Sequence, residues 1–348
     1  MMQWVHVLLS LVSSLLLLTG STTNAFSTPA VTTTTTKSTD RLTFPNLDAS
    51  LFRHPLDRNL TGLVTKLPGI QIAEQGIRRT FPLVEQTVRL DLLSSAVKVS
   101  PQQLPHIYDL LVEACEILDL TDTHNNCSIP ELYVQSNTQA NAYTLAWQGS
   151  STPILVVTSA LLDRCTPAEL QAVIGHELGH VKCEHSLYLT LGGLASAPLR
   201  TLPFAGQKID QALTQWRLAA EYTCDRAALM VAQDVHVVQS ALLKLVSGTS
   251  NVNVQEFVQQ CQEYNTLLKS ANPLVRASIR RQVRTHPLPV RRVAKLQEWA
   301  QSDEYNQLLR ENGVAIVKMK TGEEPKETQL ATEEEEEQDQ EAKEDLDQ

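Results

Sequence analysis

The chain has 348 residues, of which 42% are hydrophobic and 20% are charged, a composition that indicates a globular core and excludes global disorder. The formal net charge is −10, but residues 321–348 hold 13 acidic and 2 basic side chains, so the rest of the chain is close to neutral. A nearly neutral body excludes the proteins that bind nucleic acid through a basic face, and no nucleic-acid partner is expected.

The six cysteines are scattered along the chain and include no CxxC pair. This spacing predicts neither a disulfide framework nor a cysteine zinc ribbon, so we interpret the cysteines as small buried hydrophobic residues. Nothing in the pattern requires an oxidising compartment.

The N-terminus has the composition of a targeting segment. Residues 1–25 contain a short apolar run followed by small residues, which predicts a signal peptide. Residues 26–45 are rich in serine and threonine, and no acidic residue occurs before Asp40, which is typical of a transit peptide. The two segments in series, with Phe26 at their junction, resemble the bipartite presequence of algae with secondary plastids. The sequence therefore predicts a plastid location, with secretion and a low-complexity linker as the alternative.

The body, residues 46–320, is predicted to be mainly α-helical with a small β-hairpin or sheet. Residues 62–95 contain glycine, proline and scattered apolar positions, and we predict short helices there. Apolar residues at helical spacing predict a helix over Leu104–Leu118. Two β-like runs, Ala140–Trp147 and Pro153–Thr158, are separated by turn-forming residues and predict a hairpin.

Thr166-Pro-Ala-Glu169 is a helix start, with threonine at the N-cap, proline at the first position and glutamate at the third. The helix that it opens is predicted to run to about Tyr188. Further helices are predicted over Lys208–Gln233, Val235–Leu245, Val254–Leu268 and Val290–Trp299. The glutamate-rich tail, residues 321–348, is predicted to be disordered.

One strong motif lies inside the capped helix: His176-Glu177-Leu178-Gly179-His180. Its two histidines are one turn apart and project from the same face, a spacing at which two neutral imidazoles chelate Zn²⁺. Glu177 lies farther round the helix, where it reaches a water at the metal as a general base and does not ligate. The motif therefore predicts a metal-dependent hydrolase.

A catalytic zinc normally has three protein ligands and a water. The pattern HExxHxxGxxH is not continued here, because Cys183 and Ser186 occupy its last two places. His185, five residues after His180, is expected to point off the metal-binding face. A third ligand must therefore come from elsewhere in the chain.

Glu221 is the better candidate for the third ligand. Arg217, Glu221 and Asp225 repeat every four residues on one face of the predicted helix Lys208–Gln233, whose other residues are largely apolar. A buried pair of carboxylates needs a cation, and a metal ion together with Arg217 is expected to supply it.

These residues carry a family resemblance. HELGH followed by Glu221-x-x-x-Asp225, together with Asn141-Ala142-Tyr143 and with His286-Pro287 ahead of Arg292, resembles the zinc metallopeptidase family forty-eight, the group of HtpX and the CAAX prenyl proteases. The resemblance covers roughly Leu104–Trp299. The stretches from Pro55-Leu-Asp to His286-Pro-Leu-Pro-Val also look like the chloroplast members of plants.

The resemblance implies a zincin-like domain that holds Zn²⁺ through His176, His180 and Glu221. It implies that Asp225 hydrogen-bonds a ligand imidazole and fixes its tautomer, and that Arg292 and Arg217 lie behind the ligands. It further implies a role for His286 near the metal in stabilising the oxyanion, with a plain turn residue as the alternative. Asn141, Ala142 and Tyr143 would form the strand that lies along the substrate.

Relatives embedded in membranes carry transmembrane helices, and none is predicted in this chain after residue 25. Ser186–Leu199 is uncharged and contains two glycines, so it either dips into a lipid surface or forms a buried connection. Prenylated substrates are therefore not carried over from the family.

The sequence as a whole predicts a zinc endopeptidase that acts on proteins or peptides in a plastid. The alternative from another class is a zinc-structured pseudoprotease that binds or assembles clients without cutting them. Pseudoproteases usually lose the base or a ligand, and this chain retains Glu177, His176, His180 and Glu221, which favours the enzyme. The oligomeric state is not predicted.

Overall fold

The computed structural model of the protein describes residues 41–121, 129–146, 152–198, 206–281 and 287–315. The helices are α1 (Pro55–Val64), α2 (Ile70–Ser95), α3 (Pro105–Ile117), α4 (Ser159–Arg164), α5 (Pro167–Lys182), α6 (His185–Ser196), α7 (Gly206–Ala232), α8 (Val235–Ser247), α9 (Val254–Ser270), α10 (Pro273–Arg281), α11 (Pro289–Ala300) and α12 (Asp303–Asn312). The strands are β1 (Leu42–Thr43), β2 (Ala96–Lys98), β3 (Glu131–Gln135), β4 (Ala142–Leu145), β5 (Ile154–Thr158) and β6 (Val314–Ala315). The predicted fold class, mainly α with a small sheet, is confirmed.

The sheet has the strand order β2-β3-β5-β4, with β3 and β5 parallel and the other neighbours antiparallel. Strands β4 and β5 pair with Ala142 opposite Val157 and Leu145 opposite Ile154, which confirms the predicted hairpin. Strand β4 is therefore the edge strand of this sheet. The short strands β1 and β6 pair separately.

Both faces of the sheet are covered at β5, which is apolar and buried throughout. Its side chains point alternately to the two faces and join a hydrophobic cluster on each. Leu155 and Val157 belong to the main core, which also contains most of the buried hydrophobic residues of α5 and α7. Ile154 and Val156 pack on the other face with Leu92 of α2. This arrangement holds β4 alongside α5, and so places the sheet edge next to the motif.

Helices α5 and α7 approach each other closely because α5 has glycine at two successive turns of the contact. A Cβ at Gly175 would lie 2.8 Å from the Cβ of Val231, and a Cβ at Gly179 would lie 2.8 Å from the Cβ of Ala227. Both distances are shorter than packed carbon atoms adopt. The glycines therefore let α7 bring Glu221 beside the histidines of α5.

The start of α5 is formed as predicted. The side chain of Thr166 accepts a hydrogen bond from the N–H of Glu169 at 3.3 Å, and Glu169 Oε2 accepts one from the N–H of Thr166 at 2.7 Å. Glu169 also contacts Ser240 Oγ at 2.6 Å and Lys244 Nζ at 2.7 Å, which joins the helix start to α8.

The predicted end of this helix at Tyr188 is wrong. Helix α5 ends at Lys182, Glu184 adopts the left-handed conformation with φ 50°, and α6 begins at His185. Contacts distant in sequence hold this turn: Arg53 Nη2 donates to the carbonyl of Cys183 at 2.6 Å, and an arginine of α2 pairs with the Glu184 carboxylate. No glycine or proline marks the break, so the local sequence reads as one helix.

The prediction of short helices over residues 62–95 is also wrong. This stretch contains the end of α1 and the single 26-residue helix α2, Ile70–Ser95. Glycine at position 76 lies in open space inside the helix, with nothing within 4 Å of an added Cβ, so it weakens the helical propensity without ending the helix.

The segment Ser186–Leu199, interpreted above as a lipid-contacting or buried connection, falls mostly on α6. One face of this helix is buried against α7, where Gly192 faces the ring of Trp216. In the part of the chain that the structure describes, every helix is too short or too polar to cross a bilayer. A peripheral membrane contact through α6 stays a prediction, as do the domain boundaries at residues 25, 45 and 320.

Candidate active site

The histidines of the motif point their Nε2 atoms at one carboxylate. Glu221 Oε2 lies 3.6 Å from His176 Nε2, and Glu221 Oε1 lies 3.6 Å from His180 Nε2. Glu221 is 5% exposed, so its carboxylate is held inside the protein facing two nitrogen atoms. The structure thus brings together the three residues that the resemblance implies as ligands.

This donor set fits a zinc ion. Two ligands at about 2.1 Å from one tetrahedral zinc lie about 3.4 Å apart, close to the two distances found here. The same distances are too long for ordinary N–H···O hydrogen bonds, which rarely exceed about 3.2 Å. One carboxylate and two imidazoles are also the ligand types of catalytic zinc sites.

Asp225, one turn beyond Glu221 on α7, holds the other side of the first histidine. Its Oδ1 lies 3.1 Å from His176 Nδ1, and Arg292 of α11 grips the same carboxylate through Nε at 2.9 Å and Nη2 at 2.5 Å. A metal bound through Nε2 of His176 would leave a proton on Nδ1, which donates a hydrogen bond to Asp225. This contact would then fix the tautomer of His176.

The electrostatics of this pair follow from burial and charge. Burial alone raises the pKa of Asp225, but Arg292 and His176 outweigh burial and hold it below its ordinary value. Burial alone lowers the pKa of His176, but the carboxylates of Asp225 and Glu221 outweigh it and raise the pKa to about 9.

The second histidine has a different neighbour. His180 Nδ1 lies 3.0 Å from His185 Nδ1, and His185 Nε2 lies 3.0 Å from Asp57 Oδ2. His185 lies off the metal-binding face, as expected, but not on α5: the turn at Glu184 folds it beneath His180, against Nδ1 and away from the Nε2 that faces Glu221.

Cys224 of α7 completes a second group of metal-ligand types. One donor atom each of His176, His180 and Cys224 lie within 4.8 Å of one another. The Cys224 sulfur is 3.5 Å from His185 Nδ1, on the side of His180 opposite Glu221. Burial, first, and nearby acidic groups raise the pKa of this thiol well above its ordinary value. Glu221 is the better third ligand on geometry, because its two oxygens face the Nε2 atoms of both histidines, whereas the Cys224 sulfur contacts His185 Nδ1.

The proposed base is anchored from the sheet. Thr144 Oγ1, on the edge strand β4, donates to Glu177 Oε2 at 2.9 Å, and Glu177 is 8% exposed. This contact orients the carboxylate beside the histidines. The threonine was missed by the sequence analysis, although its alternation with Ala142 on β4 places both on the face of the strand that packs on α5.

A cavity of about 210 Å³ lies between β4, α5, α7 and α8. Its charged and imidazole lining comes from the side chains His176, Glu177, Glu221, Asp225 and Arg292, and its apolar lining includes Val173, Val238, Leu242 and Leu245. Asn141 and Ala142 of the predicted substrate strand line the same cavity. Tyr143 points to the opposite face of the sheet, where it packs with the cluster around Leu92.

The remaining predicted residues have different outcomes. Arg217 is exposed, and the cation that contacts Asp225 is Arg292, so the expectation that Arg217 balances the buried carboxylates is corrected. The four-residue spacing of Arg217, Glu221 and Asp225 on one face of α7 was interpreted correctly. Arg217, however, lies one turn before the part of that face that is buried. His286 lies outside the described residues.

Comparisons with known proteins agree with this geometry. The model of Peptidase family M48 matches residues 115–300. The plastoglobule-localized metallopeptidase 48, chloroplastic, of Arabidopsis thaliana is 41% identical over 280 residues, which is 77% of this chain and 78% of that protein. Protease HtpX homolog 2 of Methanosarcina acetivorans is 30% identical over 98 residues, 28% of this chain and 31% of that protein. A Protease HtpX homolog of Burkholderia thailandensis is 22% identical over 241 residues, 61% of this chain and 80% of that protein. The chain therefore belongs to Peptidase family M48, the family forty-eight that its motifs resemble.

Proposed function

We propose that the protein is a zinc-dependent endopeptidase that hydrolyses protein or peptide substrates in a plastid. One observation carries the proposal: the Glu221 carboxylate lies 3.6 Å from both ligand nitrogens, beside a glutamate that Thr144 holds at 2.9 Å. Metal ligands and a positioned base are the parts that metal-assisted hydrolysis requires.

The chemistry follows from these positions. A bound zinc ion supplies a Lewis acid for the scissile carbonyl and for the attacking water. Glu177 accepts the proton of that water and returns it to the leaving amine. Thr144 keeps the Glu177 carboxylate in place, while Asp225 keeps His176 oriented with its Nε2 lone pair toward Glu221.

The proposed reaction is tested with the zinc-loaded chain on unfolded protein and peptide-library substrates. Glu177→Gln removes the base and should lower kcat by about 10² to 10⁴ while zinc stays at one per chain. Glu116→Gln, an exposed glutamate on α3, is the matched control and should cleave normally. A zinc-loaded wild type that binds unfolded protein without cutting it would support the pseudoprotease instead.

The substrate is proposed to lie along the open edge of β4. Thr158 N donates to Asn141 O at 3.0 Å and Asn141 N donates to Thr158 Oγ1 at 2.9 Å, so the hydrogen-bonding groups of Asn141 face β5. Hydrogen-bonded and non-hydrogen-bonded pairs alternate in antiparallel strands, so the backbone groups of Ala142 and Thr144 face away from β5. A peptide that adds to this edge is gripped through groups common to all sequences.

Ala142→Pro removes one N–H from this edge and should abolish most peptide cleavage without loss of zinc or fold. Ala142→Ser keeps the N–H and is the control. Normal turnover in folded, zinc-loaded Ala142→Pro would exclude β4 as the substrate strand.

A plastid location is proposed from two independent lines: the predicted presequence in residues 1–45, and the relative whose name describes it as chloroplastic. A fluorescent fusion of residues 1–50 should enter the plastid of an alga with secondary plastids, and Phe26→Ala should divert it. Plastid entry that is unchanged by Phe26→Ala would remove the junction argument.

A further inference from the structure

A buried polar cluster lies directly beneath the second ligand histidine. Its centre is Asp57 of α1, which is 0% exposed. Donors surround this carboxylate: His185 Nε2 at 3.0 Å, Trp216 Nε1 at 2.9 Å, Thr223 Oγ1 at 2.8 Å, Arg53 Nη1 at 3.3 Å and Thr61 Oγ1 at 3.3 Å. The family model starts at residue 115, so its match does not include Asp57.

A metal on His180 Nε2, as in the proposed function, gives the hydrogen bonds along this cluster one consistent direction. It takes the Nε2 lone pair, so the proton of His180 lies on Nδ1 and donates a hydrogen bond to His185 Nδ1 at 3.0 Å. An ionised carboxylate only accepts, so the proton of His185 lies on Nε2, which faces Asp57. With its proton on Nδ1, His180 has its lone pair on Nε2, the atom that faces Glu221.

One further observation fits this direction. Burial alone raises the pKa of Asp57, but the hydrogen bond to His185, the charge of Arg53 and the indole of Trp216 hold it well below its ordinary value. A charged Asp57, which accepts from His185 Nε2, is the state that the hydrogen-bond direction needs.

We infer that Asp57 and His185 are positioning residues of the metal centre, which fix the tautomer of His180 so that its Nε2 lone pair is presented to the metal. This inference rests on the zinc site of the proposed function. It assigns helix α1 a part in metal binding, because the carboxylate that orients one ligand comes from a segment more than a hundred residues before it in the chain.

The competing explanation is that the cluster only stabilises the fold. Arg53 contacts both Asp57 and the carbonyl of Cys183, so the cluster also ties α1 to the turn between α5 and α6. A purely structural role predicts that zinc affinity falls only as far as overall stability falls. The test must therefore separate metal affinity from stability.

Zinc affinity is measured by chelator competition on the full chain, with thermal unfolding measured in parallel. Asp57→Asn removes the negative charge that holds the Nε2–H of His185 and so weakens the tautomer preference that His185 passes to His180. His185→Leu removes the acceptor, whereas His185→Asn keeps a short side-chain oxygen near it. We expect zinc affinity to fall about 10- to 100-fold for Asp57→Asn and His185→Leu, and less for His185→Asn.

The matched control is Glu169→Gln, a carboxylate-to-amide change at another buried acid on α5, 5% exposed and paired with Lys244. It should lower stability and leave zinc affinity unchanged. The inference is overturned if Asp57→Asn and His185→Leu bind zinc as tightly as Glu169→Gln at comparable stability. In the His185→Leu background, Asp57→Asn should cause no further loss of affinity, because the path to the metal is already broken.

A measurement on the wild type does not depend on whether the variants fold. In the zinc-loaded protein with ¹⁵N-labelled histidine, nitrogen shifts report which ring nitrogen carries the proton. The inference expects Nδ1–H on His180 and Nε2–H on His185, and Nδ1–H on His185 would overturn it. Failure of the zinc site itself is distinguishable, because the wild type would then hold no zinc and His180→Ala would change nothing.

Discussion

The two metal-facing histidines of α5 differ in how each of them contacts the carboxylate behind it. His176 contacts the carboxylate of Asp225 directly at 3.1 Å, and Arg292 neutralises that carboxylate. His180 reaches Asp57 only through the intervening ring of His185. A carboxylate in direct contact with an imidazole makes that imidazole more basic. A carboxylate that acts through a second ring mainly fixes the orientation of the ligand imidazole. Two ligand histidines one helical turn apart can therefore be held in different ways, one by a carboxylate and the other by a second imidazole.

Both histidines depend on the close contact of α5 with α7, so the largest effect is expected where that contact is tightest. In Gly179→Ala, the new Cβ would lie 2.8 Å from the Cβ of Ala227 and 3.1 Å from the Cα of Cys224. The backbone of α7 must move, and overpacking of this kind costs about 1–3 kcal/mol or more. We expect zinc content near zero and a clear fall in melting temperature.

The control for this prediction is Gly193→Ala on α6, where an added Cβ meets nothing within 4 Å. Because alanine favours a helix over glycine by about 1 kcal/mol, this variant should be as stable as the wild type or more stable. Full zinc occupancy in Gly179→Ala would show that the glycine is not needed for the site.

The second prediction removes the cation on the His176 side. Arg292→Gln leaves Asp225 buried without its positive partner and should destabilise the protein by about 3 kcal/mol. Arg217→Gln changes an exposed arginine one turn before Glu221 on α7, and it should change the free energy of unfolding by less than about 0.5 kcal/mol. Denaturant unfolding measures the free energy of unfolding of both variants. Equal losses would show that Arg217 does balance the buried carboxylates.

The third prediction compares the two orienting carboxylates directly. Asp225→Asn acts on its histidine without an intermediary, so its zinc affinity should fall about 100-fold, toward the upper end of such effects. Asp57→Asn should cost less, because its influence passes through His185. Chelator competition under identical conditions measures both, and a larger loss in Asp57→Asn would reverse the comparison.

The same contrast explains what the sequence could predict. The two histidines and the Glu221–Asp225 pair follow from helical spacing, because a period of four residues puts the members of each pair on one face wherever the helix lies. Glu177 follows from its place next to His176 in the motif. Asp57 and His185 could not be found in this way. Their contact depends on a turn at Glu184 in the left-handed conformation, and Arg53, from a distant segment, holds that turn.

The fold shows a similar division. The capped start of α5 and the hairpin of β4 with β5 were predicted, because the N-cap and turn chemistry is local. Strand β3 was missed, and its parallel pairing with β5 joins segments that no local pattern connects. The exposure of Arg217 was misjudged for a related reason, since periodicity gives a face of a helix and not the point at which that face leaves the core.

The smallest expected effect concerns Glu169, a buried carboxylate on α5 that contacts a cation but no metal ligand. Burial alone raises its pKa, but Lys244, Ser240 and the Thr166 N–H outweigh burial and lower the pKa below its ordinary value. A carboxyl with a lowered folded-state pKa stabilises the protein above its unfolded-state pKa, and this contribution is lost as the pH falls through the folded-state value.

Glu169→Gln keeps the capping geometry and removes the charge, so it should cost about 1 kcal/mol near pH 7. The gap between the wild type and Glu169→Gln should narrow as the pH falls below the unfolded-state pKa of about 4.3, and it should close below the lowered folded-state pKa, where both side chains are neutral. Urea unfolding of both proteins across this pH range measures the gap; one that widened toward acid would contradict the lowered pKa.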